Sequence, residues 1–171
     1  MLTAHEFNQR GAAMLPGHLG IVITKVENGE VHAELPVRTE LMAPNGFLHA
    51  GSIVTLADTC AGYGCMASLP AGAVGFTTVE LKSNHLGTAR EGRVECRATP
   101  VHRGRTTQVW DATVTAGGKT IALFLRTSAW EEIVEVVVVS PLLAPFFRKM
   151  ANHVAYLRLH TVFLFVTADV I

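Results

Sequence analysis

Cysteine is scarce in this chain. Cys60, Cys65 and Cys96 are too few and too scattered for a disulfide framework, and no second pair or His ligand stands at zinc spacing. They are expected to be buried, reduced thiols. Charge is scarce too: Asp, Glu, Lys and Arg make up 16% of 171 residues, and the formal net charge is 0. No basic field exists to hold nucleic acid, and no acidic run advertises a basic partner. An anionic ligand has a few local cations at most. So little net charge also favours self-association. Uninterrupted apolar runs of membrane length are missing. A spanning helix needs about 20 mostly apolar residues, and Glu135, Pro141, Pro145, Arg148, Lys149, Arg158 and His160 interrupt every such window in the tail. The opening Met1-Leu2-Thr3-Ala4-His5-Glu6 has neither a basic n-region nor an apolar h-region, which points away from a signal peptide and toward the cytoplasm.

What is present is apolar substance, 49% of the residues, enough for one domain with a sizeable core. Residues 2–14 read as a short leading helix with a Thr3 cap, ended by Pro16-Gly17. Ile21 to Val26 and Val31 to Leu35 read as strands, and Asn28-Gly29 between them is a two-residue hairpin signal. Pro44-Asn45-Gly46 is turn chemistry. Ala50 to Ser68 has apolar Ile53, Leu56, Ala57, Cys60 and Ala61 at helical spacing. Its many Gly and Ala residues suit a helix laid closely on a sheet. From Ala73 to Trp130 the pattern is β throughout, with turns at Gly87 to Gly92, Arg103-Gly104-Arg105 and Gly117-Gly118-Lys119. Two strands, a buried helix and four strands define an α+β plan, a curved antiparallel sheet wrapped around a central helix. Residues 1–131 form this domain. Residues 132–171, with Val136 to Val139 and two prolines, continue neither pattern and read as an apolar extension of unknown role.

The chemistry concentrates in Asn45-Gly46-Phe47-Leu48-His49-Ala50-Gly51 and in Asp58. A glycine-containing turn feeds His49 into the start of the central helix. The first N–H groups of a helix lack internal partners and carry the positive dipole end, and small Ala50 and Gly51 leave room for a ligand oxygen. That is oxyanion-hole geometry. Asp58 lies nine residues beyond His49, just over two turns into the helix. A carboxylate on an otherwise apolar helix is expensive to bury and is expected to face a cavity or an interface, or to sit exposed or hydrogen-bonded. Facing a cavity, it can serve as nucleophile or general base.

This run, followed after six residues by Asp58 and set between a hairpin and a four-strand meander, resembles the hotdog-fold thioesterases. More narrowly, it is similar to the phenylacetate-degradation and 4-hydroxybenzoyl-CoA thioesterase group. The resemblance covers about residues 5–131. It implies that the Ala50 N–H polarises the thioester oxygen and that His49 supports the turn by hydrogen bonding. It further implies that Asp58 attacks or activates water, and that Asn45 helps to place the water or carbonyl. The chain departs from the pattern in three places. Ala50-Gly51 replaces a pair of glycines, and Asn45 stands closer to the His than is usual. Gly62 stands where some members carry a hydroxyl one turn after the acid, so Thr77 or Thr78, from a facing subunit, is expected to supply one.

For coenzyme A, Arg103 and Arg105 flank a turn glycine and Arg90 stands in another turn, all suited to phosphate contact. His85 and His102 are expected to be surface or strand residues. No His/Asp/Glu group has metal spacing, and no cofactor is expected. The resemblance implies a homodimer or homotetramer with its sites at the subunit interface. Its central expectation is hydrolysis of acyl- or aroyl-CoA thioesters. A non-catalytic CoA- or acyl-binding module and a dehydratase of the same fold are the alternatives.

Overall fold

A computed structural model describes residues 2–27 and 29–132. The chain opens with a capping box. The Thr3 Oγ1 accepts from the Glu6 N–H at 3.3 Å, and the Glu6 carboxylate accepts from the Thr3 N–H at 2.7 Å, fixing the start of α1 (Ala4–Gly11). Pro16-Gly17 does not simply break the chain, as the sequence pattern suggests. It lies inside a second short helix, α2 (Leu15–Leu19), with the proline in its first turn. A proline is tolerated there because first-turn N–H groups have no helical acceptor.

The hairpin follows: β1 (Val22–Glu27) and β2 (Glu30–Pro36), with Gly29 at φ +81° in the turn. After a 3-10 turn at Thr39–Leu41 comes the long helix α3 (Ala50–Ala67), then β3 (Ala73–His85), β4 (Arg93–Arg103), β5 (Thr107–Ala116) and β6 (Lys119–Glu132). The six strands form one sheet in the order β1-β2-β4-β5-β6-β3. The pairs β1–β2, β2–β4, β4–β5 and β5–β6 are antiparallel.

The inner face of the sheet holds Val31, Ala33, Leu35, Val94, Cys96, Ala98, Trp110, Ala112 and Val114. Against it pack Ile53, Leu56, Ala57, Cys60, Ala61 and Cys65 of α3, all buried. The closeness of that packing explains the small residues of α3. A Cβ at Gly64 would stand 2.4 Å from the Trp110 ring. The indole N–H of Trp110 donates to Gln108 Oε1 at 2.7 Å, and Gln108 Nε2 donates to the Ser68 carbonyl at 3.1 Å. The C-terminal end of α3 is thereby tied to β5. All three cysteines are buried, free thiols. Among the described residues no helix is long and apolar enough to cross a membrane. Of the extension at 132–171, residues 133–171 lie outside the described residues.

Candidate active site

The turn before α3 is built by local hydrogen bonds. Gly46, at φ +78°, occupies a left-handed position that glycine takes without strain. The Ala43 N–H donates to the Phe47 carbonyl at 2.7 Å. Asn45 Oδ1 accepts from the Phe47 N–H at 3.3 Å, so this side chain is engaged in its own turn. Leu48 N–H donates to Ala89 and His49 N–H to Leu41, anchoring the turn to the chain on both sides.

His49 is the N-cap of α3, and its Nδ1 accepts from the Gly51 N–H at 2.8 Å. The proton of a neutral imidazole is then on Nε2. The His49 carbonyl accepts from Ser52 and Ile53. Among the described residues no acceptor meets the Ala50 N–H. His49, Ala50 and Gly51 are all exposed, so this donor opens to solvent at the positive end of an 18-residue helix.

Asp58 is half-buried and faces a residue that the sequence pattern did not single out. Arg126 of β6 is 2% exposed, and its Nε lies 2.8 Å from Asp58 Oδ1. The N–H does not point along that line, so the contact is one of charge to charge without hydrogen-bond alignment, and among the described residues Arg126 Nε and Nη1 and Asp58 Oδ1 have no hydrogen-bond partner. Arg126 Nη2 donates to Thr78 Oγ1 of β3 at 2.5 Å. The guanidinium also lies over the Phe76 ring, 4.9 Å from its centroid. Burial pushes Arg126 down from its ordinary value, and the Asp58 charge opposes that shift. A guanidinium stays protonated in proteins.

The signal for Arg126 is in the strand alternation. Ala122, Phe124, Arg126 and Ser128 are buried in phase, and Leu123 and Leu125 point outward. A charge in phase with a core face is a candidate functional group. The run Ile121 to Leu125 hides this phase because both of its faces are apolar.

The remaining residues fall into two groups. Arg90 lies over the Phe47 ring at 4.3 Å, beside the turn that carries His49 and Ala50. Arg103 lies against Gly29 and 5.7 Å from the Trp110 ring. With exposed Arg105 it stands at the other end of α3, near Ser68, where a crevice of about 60 Å³ includes Gly29, Glu30, Ser68 and Arg103 in its wall. Thr77 is exposed on β3. His85 and His102 are exposed strand residues. Among the described residues no group of three His, Cys, Asp or Glu side chains is placed to hold a metal ion.

A six-stranded antiparallel sheet around one helix, with that helix open at its N-terminus, defines the hotdog class. The thioesterase superfamily model matches residues 45–122. The chain is 35% identical to a 1,4-dihydroxy-2-naphthoyl-CoA hydrolase of Listeria monocytogenes, over 57% of this chain and 78% of that protein. It is 34% identical to the proofreading thioesterase EntH of Klebsiella pneumoniae, over 66% of this chain and 82% of that one. The crystal structure of a thioesterase from Haemophilus influenzae superposes with a TM-score of 0.74 at 30% identity, covering 79% of this chain and 94% of that one. The chain belongs to the thioesterase superfamily.

Proposed function

We propose that this protein hydrolyses acyl- or aroyl-CoA thioesters to the free acid and coenzyme A. Helix α3 carries the reading, with an unpartnered N–H at Ala50 at its start and a half-exposed carboxylate at Asp58 farther along. The Ala50 N–H donates to the developing oxyanion, and His49 holds the turn that presents it. Asp58 acts on the carbonyl carbon, directly or through water. In the water route, Asp58 takes a proton as the water oxygen bonds to carbon. The C–S bond then breaks, and the CoA sulfur leaves with a proton. Gly51 keeps the approach open, and Asn45 shapes the entry turn. Arg90, Arg103 and Arg105 are the cations offered to the CoA phosphates.

Ala50 and Asp58 are eight residues apart, about 12 Å of axial rise along one helix. An oxyanion donor acts at about 3 Å, so the two groups meet on one carbonyl when two copies supply them. The edge strand β3 supports this. It ends the sheet, and Thr77, Thr78, Val79 and Glu80 are exposed on it, ready for strand-to-strand pairing. Exposed Val79, Leu123 and Leu125 favour a homodimer or homotetramer.

The test is thiol release from benzoyl-, hexanoyl- and palmitoyl-CoA by the full-length protein. Turnover of at least one supports the reading and names the acyl class. No turnover of any, together with retained affinity for CoA, leaves a binding module in its place.

A further inference from the structure

We infer that Arg126 is a positioning residue for Asp58, holding Oδ1 so that Oδ2 is the oxygen presented to the substrate. This inference rests on the hydrolytic reading of Asp58 above. Oδ1 is buried with Arg126 Nε 2.8 Å away. With Oδ1 buried, the 40% exposure of the side chain falls on its other atoms, so the open side of the carboxylate is its second oxygen.

Three residues on two elements other than β6 hold the guanidinium in place. Thr78 Oγ1 on β3 accepts from Nη2, and Phe76 on the same strand offers its ring face. Gly62 on α3 supplies the space, since a Cβ there would come within 3.0 Å of Nη1. A planar cation enclosed on these sides has little rotational freedom left, unlike a lysine ammonium on its flexible stem. Burying such a charge is unfavourable without an anion to face. Asp58 is the carboxylate it faces.

The arrangement goes beyond anchoring the helix. Among the described residues Nε and Nη1 are buried without hydrogen-bond partners, so Nε acts on Oδ1 as a charge 2.8 Å away. Nε is the nitrogen that faces Asp58, and Nη1 lies on the Gly62 side of the guanidinium. Asp58 is thereby constrained at one oxygen and free to react at the other. Thr78, expected to act from a facing subunit, is tied through Arg126 to Asp58 of its own chain.

The experiment measures kcat and KM for thiol release, on whichever of benzoyl-, hexanoyl- and palmitoyl-CoA the wild type turns over fastest. Wild type is compared with Asp58→Asn, Arg126→Met, Arg126→Lys and Thr78→Val, each normalised to folded protein by circular dichroism. A displaced reacting group loses up to about 100-fold in rate, so Arg126→Met is expected to lower kcat about 10-fold or more, with KM changed less than about twofold. Arg126→Lys recovers part of the loss, because it restores the charge without the planar fork. Thr78→Val lowers kcat by a smaller factor in the same direction. Folded Arg126→Met with wild-type kcat, beside an inactive Asp58→Asn, overturns the positioning role and leaves Asp58 as the reacting carboxylate. Wild-type turnover by Asp58→Asn removes both. Should Arg126→Met fail to fold, Thr78→Val at wild-type kcat overturns the inference by itself.

Discussion

Arg126 Nε stands 2.8 Å from Asp58 Oδ1, joining strand β6 to the middle of the central helix. The pair spans 68 residues of sequence and is supported from β3 by Thr78. It gives the family's central helix a charged contact on its sheet side, where the neighbouring positions are apolar. Asp58 thus has a buried oxygen set against a cation and an open side toward solvent.

The Ala50 N–H can be deleted with little damage to the helix. Ala50 is the first residue of α3, and His49 before it has φ −63° and ψ 136°, a conformation that a following proline accepts. Proline is tolerated at the first helical position. Ala50→Pro is expected to lower kcat/KM by about 100-fold or more, the loss typical of one oxyanion donor, with a thermal midpoint close to wild type. A stable Ala50→Pro enzyme with full activity would remove this N–H from the mechanism.

A site shared by two copies predicts complementation. Asp58→Asn and Ala50→Pro copies, each inactive alone, should regain activity when unfolded together and refolded as a mixture. In a mixed dimer, one of the two sites receives an intact Asp58 and an intact Ala50. Continued inactivity of the mixed dimer would place both groups within one chain's own site.

Gly64 lies against a rigid, fully buried ring. A Cβ there would meet Trp110 Cζ3 at 2.4 Å. Overpacking costs about 1–3 kcal/mol, and backbone crowding against an indole belongs at the upper end. Alanine regains about 1 kcal/mol of helix propensity, which does not offset it. Denaturant titration of Gly64→Ala should show net destabilisation, and a more stable variant would mean that the ring and helix separate easily.

Acid should weaken one cross-strand ion pair. The Arg97 guanidinium, and then His32, hold the Glu30 carboxyl down to about 2 from an ordinary 4.5. A folded value below the unfolded one contributes stability above the unfolded value, and that contribution is lost as pH falls from about 4.5 toward 2. Arg97→Gln should therefore lower the thermal midpoint slightly at pH 6 in low salt and have little effect near pH 2. The effect is small because the pair is solvent-exposed. An equal effect at both pH values would show that Arg97 acts through packing instead.

Much of the fold was legible because local chemistry and global plan agree. Asn28-Gly29 marks the hairpin turn, and the Gly- and Ala-rich stretch from Ala50 reads as a helix laid on a sheet, as Gly64 against Trp110 shows. Pro16-Gly17 misled because a proline that starts a helix looks, in sequence alone, like one that ends it. Asp58 was legible as an acid on an apolar helix. Its partner was not, since Arg126 follows a run apolar on both faces and meets Asp58 through tertiary packing. Nor does the sequence reveal that Asn45 spends its side-chain oxygen on the Phe47 N–H.

The central claim is that Asp58 performs thioester hydrolysis, and replacing its carboxylate with an amide of the same shape tests this most directly. On the best substrate of the CoA-thioester panel, Asp58→Asn is predicted to lose about 100-fold or more in kcat, the scale of acid–base catalysis, while remaining folded. Turnover equal to wild type in the folded variant would contradict the account.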